Sequence, residues 1–541
     1  MSEQLDNAIA GLREVARQGR MGRLRRGVEK EGLRTDMQGN IVQTPHPAEF
    51  GSKLTHPYIT TDYSESLLEY ITPVHSRPSD TLSFLADLHR FSYRHLEDEL
   101  IWPASMPCRL NGNDSVPIAD YGSSNSGKMK HIYRRGLDAR YGRIMQSIAG
   151  IHYNVSLPEQ LWPVLQEVEG AQAKPLQAYQ TGRYFDLIRN FRRNSWLLLY
   201  LFGASPALDR SFFTGEVPDK LKTHGRNTLY APYATSLRMS DLGYQNKVQA
   251  QLKICFNSLS NYVGTLRSAI TTPWPAYERI GVDDNGNWRQ LNSNILQIEN
   301  EYYSDIRPKR ITGQGETPAQ ALEARGVEYV EVRCLDLNPF LALGIDETQM
   351  RFLDTFLMWC LLSEAPWISD EECDHLDDNR GLVTAKGRDP SLCLSIDKQE
   401  RGLADRAEEI FAGLYKVAEL LDINEKEQPH RDAIKALAPR LSRPETTPSG
   451  RLLAVLEESG NEFVDYVAEL ARSQAEELRN EPMDRAHEAL FTQLTETSCQ
   501  QQRDIEAADT DPFDDFIAGY FAQARESMAA SSRDDAQIGS R

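Results

Sequence analysis

The sequence predicts an α+β protein, in which a largely antiparallel, curved sheet is flanked by helices and followed by a helical C-terminal portion. Two observations support this prediction. Between residues 27 and 340, short segments rich in β-branched and aromatic residues alternate in polarity with period two, and segments with helical apolar spacing separate them. Beyond about residue 400 only amphipathic helical patterns remain. We therefore expect an α+β domain over residues 1–400, a helical region over 401–530 that packs on it, and a disordered tail over 531–541.

The composition is that of a soluble globular protein, since 40% of the 541 residues are hydrophobic and 26% are charged. The formal net charge of −19 argues against generic nucleic-acid binding, which requires a basic surface. An anionic substrate would have to be met by local Arg and Lys side chains or by metal ions. The seven cysteines are scattered and never form Cys-x-x-Cys, which predicts neither a zinc site nor a disulfide framework. With no apolar signal segment at the start, we expect a cytoplasmic protein.

The elements follow from the spacing of apolar residues, which is three to four in helices and two in strands. In chain order we expect a helix over 3–19, strands over 27–36 and 41–42, an extended segment over 59–73, helices over 79–95 and 128–147, a strand over 151–158, a helix over 183–202, extended segments over 230–244 and 291–310, a strand within 326–340 and a helix over 346–362. In the C-terminal part we expect helices over 398–422, 429–442, 450–479, 483–507 and 513–530.

The stretch from Gly122 to Met129 nearly matches the phosphate-binding loop Gly-x4-Gly-Lys-Ser/Thr. It fails at Met129, which lacks the hydroxyl that ligates magnesium, and no strand of buried branched residues leads into it. We therefore interpret it as a turn that enters a helix rather than as a nucleotide-binding loop.

The strand within 326–340 has two distinct faces. Alternation puts Glu331 and Arg333 on one face together with Tyr329, and Glu328 on the other face together with two valines. Taken alone, this strand leaves two interpretations open. The acid and the guanidinium could form a salt bridge on a solvated face, or they could face a metal ion and a phosphate.

The same pattern recurs in other predicted extended segments. A single pair would be explained by a solvated face, and His152 alone by a structural hydrogen bond. Because the opposite faces of these segments are apolar, they are expected to share one sheet whose common polar face is an acid-lined funnel. The pairs are Glu29 with Glu31, Asp62 with Glu69, His152 with Asn154, Glu299 with Glu301, and Glu331 with Arg333.

Several carboxylates converging in a buried funnel would be costly without compensating charge, which divalent cations provide. Oxygen ligands with a single imidazole favour Mg²⁺ or Mn²⁺ over zinc. Arginines beside such a site, without a phosphate-binding loop, are typical of nucleotide phosphates held by metal ions and guanidinium groups.

The sequence also contains long, ordered motifs, among them Arg-Gly-Val-Glu-Lys-Glu-Gly-Leu-Arg at 26–34 and Gly-Ile-His-Tyr-Asn-Val-Ser-Leu-Pro at 150–158. Together the motifs resemble the proteobacterial glutamate–cysteine ligase family, whose catalytic core is similar to that of glutamine synthetase. The resemblance runs from about residue 20 to about residue 365, and the C-terminal remainder resembles the family only in its helical pattern. The further motifs lie at 54–73, 121–125, 201–206, 232–244, 297–300 with 307–310, and 326–340.

The resemblance implies an enzyme that joins the γ-carboxylate of L-glutamate to the amine of L-cysteine, with ATP as co-substrate and γ-glutamyl phosphate as the intermediate. The products would be γ-glutamylcysteine, ADP and phosphate, in the first step of glutathione biosynthesis. The resemblance further implies Mg²⁺ (or Mn²⁺) as cofactor and feedback inhibition by glutathione. We also expect a monomer with no nucleic-acid or membrane partner.

The resemblance assigns roles to individual residues. The implied metal ligands are Glu29, Glu31, Asp62, Glu69, His152 and Glu331. The implied catalytic residues are Arg333, which would face the transferred phosphate, with Arg238 and Glu331. The implied substrate-binding residues are Arg134 and Arg238, which would bind carboxylates, and Tyr133, Leu137, Gln146, Ile148, Asn154, Tyr244 and Tyr303, several of which would wall the cysteine pocket. Tyr302 departs from the family pattern, which has an aliphatic residue there, so the sequence leaves open which of the two tyrosines faces the pocket.

Three other functions remain to be weighed against the ligase. A carboxylate–amine ligase with a different amino-acid acceptor would use the same chemistry. A metal-dependent hydrolase would use the acids but leave the arginines without a purpose. A non-catalytic acidic scaffold would bind neither metal nor nucleotide through these residues.

Overall fold

The structure is a computed structural model that describes residues 3–243, 252, 254–313 and 315–522. The strands are β1 (Arg25–Asp36), β2 (Ile59–Thr61), β3 (Leu67–Ile71), β4 (Glu99–Ile101), β5 (Ile151–Ser156), β6 (Ala207–Asp209), β7 (Lys222–His224), β8 (Thr228–Tyr230), β9 (Ile306–Lys309), β10 (Tyr329–Leu335), β11 (Cys393–Ile396) and β12 (Gln399–Gly402). The helices are α1 (Glu3–Arg17), α2 (Pro78–His95), α3 (Asn125–Tyr141), α4 (Leu161–Val168), α5 (Leu176–Asn194), α6 (Trp196–Phe202), α7 (Leu259–Thr271), α8 (Pro275–Ile280), α9 (Pro318–Arg325), α10 (Glu347–Leu362), α11 (Asp370–Lys386), α12 (Leu403–Leu421), α13 (Pro429–Leu437), α14 (Pro439–Ser442), α15 (Pro448–Ser459), α16 (Phe463–Asn480) and α17 (Arg485–Ala508).

The main sheet has seven strands in the order β2–β3–β1–β5–β10–β9, and β4 pairs with the end of β1. All of its pairings are antiparallel. The twelve-residue strand β1 is central, since it pairs with β3 on one side and β5 on the other. The predicted class, a largely antiparallel sheet with flanking helices and a helical C-terminal portion, is confirmed.

One face of the sheet is closed by helices. Val330 and Val332 of β10 are fully buried on that face, as the alternation predicts. On β5, Tyr153 points the same way, and its hydroxyl donates to Asp354 Oδ1 of α10 at 2.9 Å. Helix α2 packs on β1 and β3. The opposite face therefore carries the polar residues of the same strands.

Several predicted elements differ in their extent. The segment predicted over 59–73 is a hairpin of β2 and β3, because the chain turns through 62–66 and Asp62 N donates to Leu67 O at 3.1 Å. The helix predicted over 128–147 is shorter at its end, because Gly142 at φ 78° terminates α3. The helix predicted over 183–202 is divided into α5 and α6. In the C-terminal part, the helix predicted over 450–479 is divided by Gly460, which ends α15 with φ 70°.

Other predictions about the elements were wrong. Residues 231–243 form turns rather than an extended segment, and Tyr244 lies outside the described residues. Within 291–310 only β9 is a strand, and Glu299–Glu301 is a turn of 3₁₀ helix. Residues 41–42 join β1 only through the single bridge between Thr35 and Ile41. The hairpin of β11 and β12, the sheet of β6, β8 and β7, and helix α11 were not predicted.

The C-terminal helices pack back onto the first part of the chain. Helix α16 packs on α2, β4 and β6, and α17 packs on α2. Residues 513–522 are also helical, and the tail predicted over 531–541 lies outside the described residues. Within the part of the chain that is described, no helix combines the length and the apolarity needed to cross a membrane.

Candidate active site

The pairing of the strands explains why the acids meet. Antiparallel register places Glu29 of β1 opposite His152 of β5, and Glu31 opposite Glu69 of β3. Residues directly opposite on one face have their Cβ atoms close together. On the other side of β5, Asn154 lies opposite Glu331 of β10. The predicted acid-lined face is therefore assembled from four adjacent strands.

His152 lies at the centre of this face. Its Nδ1 lies 2.9 Å from Glu29 Oε2 and 3.8 Å from Glu331 Oε1, and its Nε2 lies 3.6 Å from Glu31 Oε1. One ligand atom each from Glu29, His152 and Glu331 can be chosen so that all three lie within 4.8 Å of one another. These three residues could hold a metal ion. Asn154 Nδ2 donates to Glu29 Oε1 at 2.9 Å and fixes that carboxylate from the side.

The negative charges of Glu31 and Glu69, on the β1–β3 side of the acid face, are only partly compensated. Burial raises the pKa of Glu69 well above its ordinary value, and repulsion from Glu29, Asp62 and Glu31 adds to the effect. Burial also raises the pKa of Glu31, and nearby His152 offsets only part of the change. These carboxylates therefore lack sufficient positive charge from the protein itself.

On the β10 side of the face, basic side chains compensate the charge of Glu331. Burial alone would raise the pKa of Glu331, but Lys309 and Arg333 lower it well below the ordinary value. Lys309 Nζ and Arg333 Nη1 lie 3.5 Å and 3.2 Å from Glu331 Oε1. Glu331 is 1% exposed, and no described residue donates a hydrogen bond to its Oε2. Burial alone would likewise raise the pKa of Glu29, but the hydrogen bond and charge of His152, together with the charge of Lys309, lower it.

Arg238 reaches the same face from the turn that follows β8. Its Nη2 donates to Arg333 O at 2.9 Å, and its Nη1 lies 3.7 Å from the buried Asp336. The guanidinium passes directly over Gly150, where a Cβ would collide with it. The absence of a side chain at Gly150 therefore allows the guanidinium to lie against β5.

The polar face opens into a cavity of about 880 Å³. Ten predicted site residues line it, namely Glu31, Asp62, Tyr133, Arg134, Leu137, Gln146, His152, Arg238, Tyr303 and Arg333. Five others surround it without lining it, namely Glu29, Glu69, Ile148, Asn154 and Glu331. Ile148 is fully buried. Tyr244, also a predicted site residue, lies outside the described residues.

Both tyrosines of the Tyr302–Tyr303 pair line the cavity, but they face different parts of it. The hydroxyl of Tyr303 donates to Gln146 Oε1 at 3.1 Å, which places Tyr303 in the wall formed with Tyr133. Tyr302 lies beside Arg192 and α11, and burial raises its pKa to about 12. Of the two, Tyr303 therefore belongs to the predicted aromatic wall.

Arg134 of α3 is oriented by its neighbours. Its Nε donates to Asp62 O at 2.6 Å and its Nη1 to Lys130 O at 2.9 Å. The ring of Tyr121 lies under the guanidinium, 4.6 Å from ring centroid to Cζ. Arg134 is therefore held at the cavity wall beside the turn that carries Asp62.

The acid pair Glu299 and Glu301 does not belong to this face, contrary to the prediction. Ala319 N donates to Glu299 Oε2 at 2.9 Å, and burial raises the pKa of that carboxyl to about 7. Glu301 Oε1 lies 3.0 Å from Arg140 Nη1 in a fully buried ion pair. The 3₁₀ turn removes the period-two alternation on which the prediction rested.

Helix α11 forms a wall of the cavity that was not predicted from the sequence. Asp377 and Arg380 line the cavity, where they pair with Arg192 at 3.2 Å and with Asp305 at 2.8 Å respectively. Charged residues occur around most of this helix, so it shows little apolar periodicity. Ser369 followed by three acidic residues is a helix start signal that would have revealed it. Lys309 of β9, which lies beside Glu331, belongs to the motif at 307–310, but no role was predicted for it.

Comparisons with known proteins agree with the resemblance. The sequence model of the glutamate-cysteine ligase family matches residues 9–383. The chain is 49% identical to the glutamate–cysteine ligase of Pseudomonas paraeruginosa over 522 residues, covering 96% of this chain and 98% of that protein. It is 49% identical to the same enzyme of Azotobacter vinelandii over 524 residues, covering 96% and 99%.

Solved structures show the same relationship. The glutamate–cysteine ligase of Francisella tularensis in complex with AMP superimposes with a TM-score of 0.87 at 35% identity, covering 93% of this chain and 98% of that one. A bifunctional glutathione synthetase from Pasteurella multocida superimposes with a TM-score of 0.71 at 25% identity, covering 91% of this chain and 58% of that one.

Proposed function

The chain belongs to the glutamate–cysteine ligase family and forms γ-glutamylcysteine from L-glutamate, L-cysteine and ATP, and we propose which of its residues carry each part of that reaction. The reaction is the first step of glutathione biosynthesis. The family favours this function over the different acceptor, the hydrolase and the scaffold considered from the sequence. The observation that carries the proposed division of roles is the juxtaposition of Glu29, His152 and Glu331, of which His152 lines the cavity.

The donor set fits hard divalent cations. Carboxylate oxygens with one imidazole suit Mg²⁺ or Mn²⁺. The buried Glu331 Oε2 has no hydrogen-bond donor among the described residues, and the raised pKa of Glu69 reflects anionic charge that a cation would balance. The proposed ligands are Glu29, Glu31, Asp62, Glu69, His152 and Glu331. When bound, such ions neutralise phosphate oxygens and so lower the cost of the negative charge that crowds the site.

The chemistry begins with activation of a carboxylate, which is a poor acyl donor. The γ-carboxylate of glutamate attacks the γ-phosphorus of ATP, the bond from that phosphorus to the bridging oxygen breaks, and ADP leaves. Arg333 stands at the acid face with its guanidinium toward the cavity, and we assign it to the oxygens of the transferred phosphoryl group. The γ-glutamyl phosphate remains in the cavity.

The second step uses the amine of cysteine. The amine attacks the acyl carbon, the carbon–oxygen bond to phosphate breaks, and the amine loses a proton as the amide forms. We assign Arg134 and Arg238 to the substrate carboxylates, because each presents a guanidinium at the cavity wall. Holding both reactants in one cavity converts a bimolecular step into an effectively unimolecular one.

We assign the cysteine side chain to the aromatic wall. Tyr133, Leu137, Gln146 and Tyr303 line the cavity, and this aromatic and apolar lining suits a small thiol better than a charged side chain. We also propose the substrate-binding roles that the resemblance implies for Ile148 and Asn154, which do not line the cavity; Ile148 is buried and Asn154 donates to Glu29.

The remaining proposals concern the protein as a whole. Because glutathione contains the γ-glutamylcysteine moiety, it would compete at the amino-acid sites and inhibit the enzyme. Residues 1–400 would form the catalytic domain, and the enzyme would act as a cytoplasmic monomer.

A coupled assay of ADP release tests the proposed order of steps. ADP release should require both amino acids, and glutamate alone should give little net turnover because γ-glutamyl phosphate stays bound. Cysteine and 2-aminobutyrate should serve as acceptors, and lysine or glutamate should not compete with them. Equal ADP release with cysteine omitted would contradict the proposed sequence.

A further inference from the structure

The C-terminal arm (residues 498–522) crosses the beginning of α3. Gln502 Nε2 donates to Tyr121 O at 3.4 Å, and Ser123 N donates to Glu506 Oε1 at 2.9 Å. The acceptor Tyr121 O and the donor Ser123 N are backbone groups of the loop that leads into α3. The arm therefore fixes the path of that loop.

The arm also completes the N-terminus of α3. Ser124 caps the helix by accepting from Gly127 N at 3.1 Å. Asn125 N, which has no partner within the helix, donates to the carboxylate of Asp509. The side chain of Asn125 donates in turn to Asp511 O at 3.0 Å. A carboxylate at this end of a helix also interacts favourably with the helix dipole.

A small apolar cluster anchors the end of the arm. Ile517, which is buried, packs against Ile132 of α3 and against Leu291. The ring of Phe513 meets that of Trp288 edge to face, with centroids 5.2 Å apart. The arm thus holds α3 against the segment that leads to the tyrosines of the cavity wall.

The loop connects these contacts to the cavity. The Tyr121 hydroxyl donates to Thr61 O at 2.7 Å, and the Tyr121 ring lies under the guanidinium of Arg134. Arg134 donates in turn to Asp62 O. Displacement of the loop would therefore move the Tyr121 ring, which contacts the guanidinium of Arg134. The backbone of Asp62 is also held within the β2–β3 hairpin, where its N donates to Leu67 O at 3.1 Å.

We propose that the C-terminal arm positions Arg134 for an amino-acid substrate, so that residues beyond the family match at 9–383 help to form the substrate pocket. The inference rests on the proposed assignment of Arg134 to a substrate carboxylate. The acids of the arm act through the loop and α3, and make no contact with the cavity themselves.

The test compares variants of the full-length enzyme by steady-state kinetics. D509N removes the charge at the α3 N-terminus, and E506Q removes the charge at the loop. D504N is the matched control, because Asp504 lies on α17 with Glu506, is exposed, and accepts a hydrogen bond from Gln500 of the same helix. R134Q identifies the amino acid whose binding depends on Arg134.

We expect D509N to raise the KM for that same amino acid by about fivefold, because a neutral amide oxygen accepts a weaker hydrogen bond from Asn125 N than a carboxylate does. The KM for ATP and the half-saturating Mg²⁺ concentration should stay within about twofold of wild type. Amide hydrogen exchange over residues 121–130 should become faster in D509N and remain unchanged in D504N. E506Q should show the same pattern and serves if D509N does not fold.

Two results would overturn the inference. One is an unchanged amino-acid KM in D509N and E506Q while R134Q raises it. The other is a proportional rise of every kinetic constant together with a loss of thermal stability, which would indicate a purely structural role. If R134Q leaves both amino-acid KM values unchanged, the assignment of Arg134 in the proposed function fails instead.

Discussion

Replacement of Glu69 by Gln should stabilise the protein in the absence of metal and abolish its stabilisation by Mg²⁺. Burial and the neighbouring carboxylates raise the pKa of Glu69. A carboxyl whose pKa is raised by folding holds its proton more tightly in the folded state. Its contribution to stability is full below the unfolded pKa and is lost as pH rises through the folded pKa. Above the folded pKa the ionised group therefore destabilises the metal-free protein, and Gln removes that charge.

Each unit by which folding raises the pKa of a carboxyl amounts to about 1.4 kcal/mol at pH values above the folded pKa. A chain of this length unfolds with an entropy of roughly 1 kcal/mol per degree, so the thermal midpoint of the metal-free variant above that pKa should rise by about 1 °C for each such unit. In the wild-type protein, Mg²⁺ at about 100 times its Kd should add about 2.7 kcal/mol. Loss of a ligand should remove most of that gain.

Thermal unfolding by differential scanning fluorimetry, with and without Mg²⁺, measures both effects. Glu328→Gln is the matched control, because its carboxylate meets Arg310 at 3.5 Å and does not line the cavity. This control should respond to Mg²⁺ as the wild type does. A Glu69→Gln variant that is less stable without metal, yet gains fully from Mg²⁺, would refute the assignment of Glu69 to the metal face.

Three further predictions concern the same cavity. Glu331→Ala should lower turnover by about 10³-fold or more without a collapse of the thermal midpoint, because the carboxylate faces the proposed metal ions rather than the apolar core. The ADP assay measures the loss of turnover, and thermal unfolding followed by circular dichroism measures the midpoint. Because burial raises the pKa of Glu31 and of Glu69, Mg²⁺ binding should release protons and should tighten as pH rises through those raised pKa values. Calorimetry in two buffers of different ionisation enthalpy tests this, and equal binding heats in the two buffers would contradict it. Tyr303→Phe should raise the KM for cysteine by a few fold with little effect on that for ATP, since it leaves Gln146 without its donor; equal changes in both constants would count against the cysteine-pocket assignment.

The acid face could be predicted from the sequence because strand alternation is a local property. The spacing of Glu29 with Glu31 and of Glu331 with Arg333 puts these residues on one face, and the residues between them, Lys30 and Val332, are buried on the other. The same reasoning failed for Glu299, because a 3₁₀ turn and a strand leave similar short polar patterns. Only the surrounding chain decides between them.

Long-range pairings could not be predicted in the same way. Nothing local to Asp305 indicates that Arg380 of α11 will meet it across the cavity, and nothing local to Asn125 indicates that Asp509 will accept from its backbone. Such contacts depend on how helices pack, which local spacing does not determine. The residues that the sequence analysis missed are therefore mostly those supplied by distant helices.

Glu29, His152 and Glu331 are proposed to hold a divalent cation beside the cavity. Anomalous diffraction from crystals soaked in Mn²⁺ would locate that ion. We expect a manganese peak within about 2.5 Å of one side-chain atom of each of the three residues, with the direct contact between His152 and Glu29 replaced by bonds to the ion. Manganese found only elsewhere, with the 2.9 Å contact between His152 Nδ1 and Glu29 Oε2 retained, would contradict it.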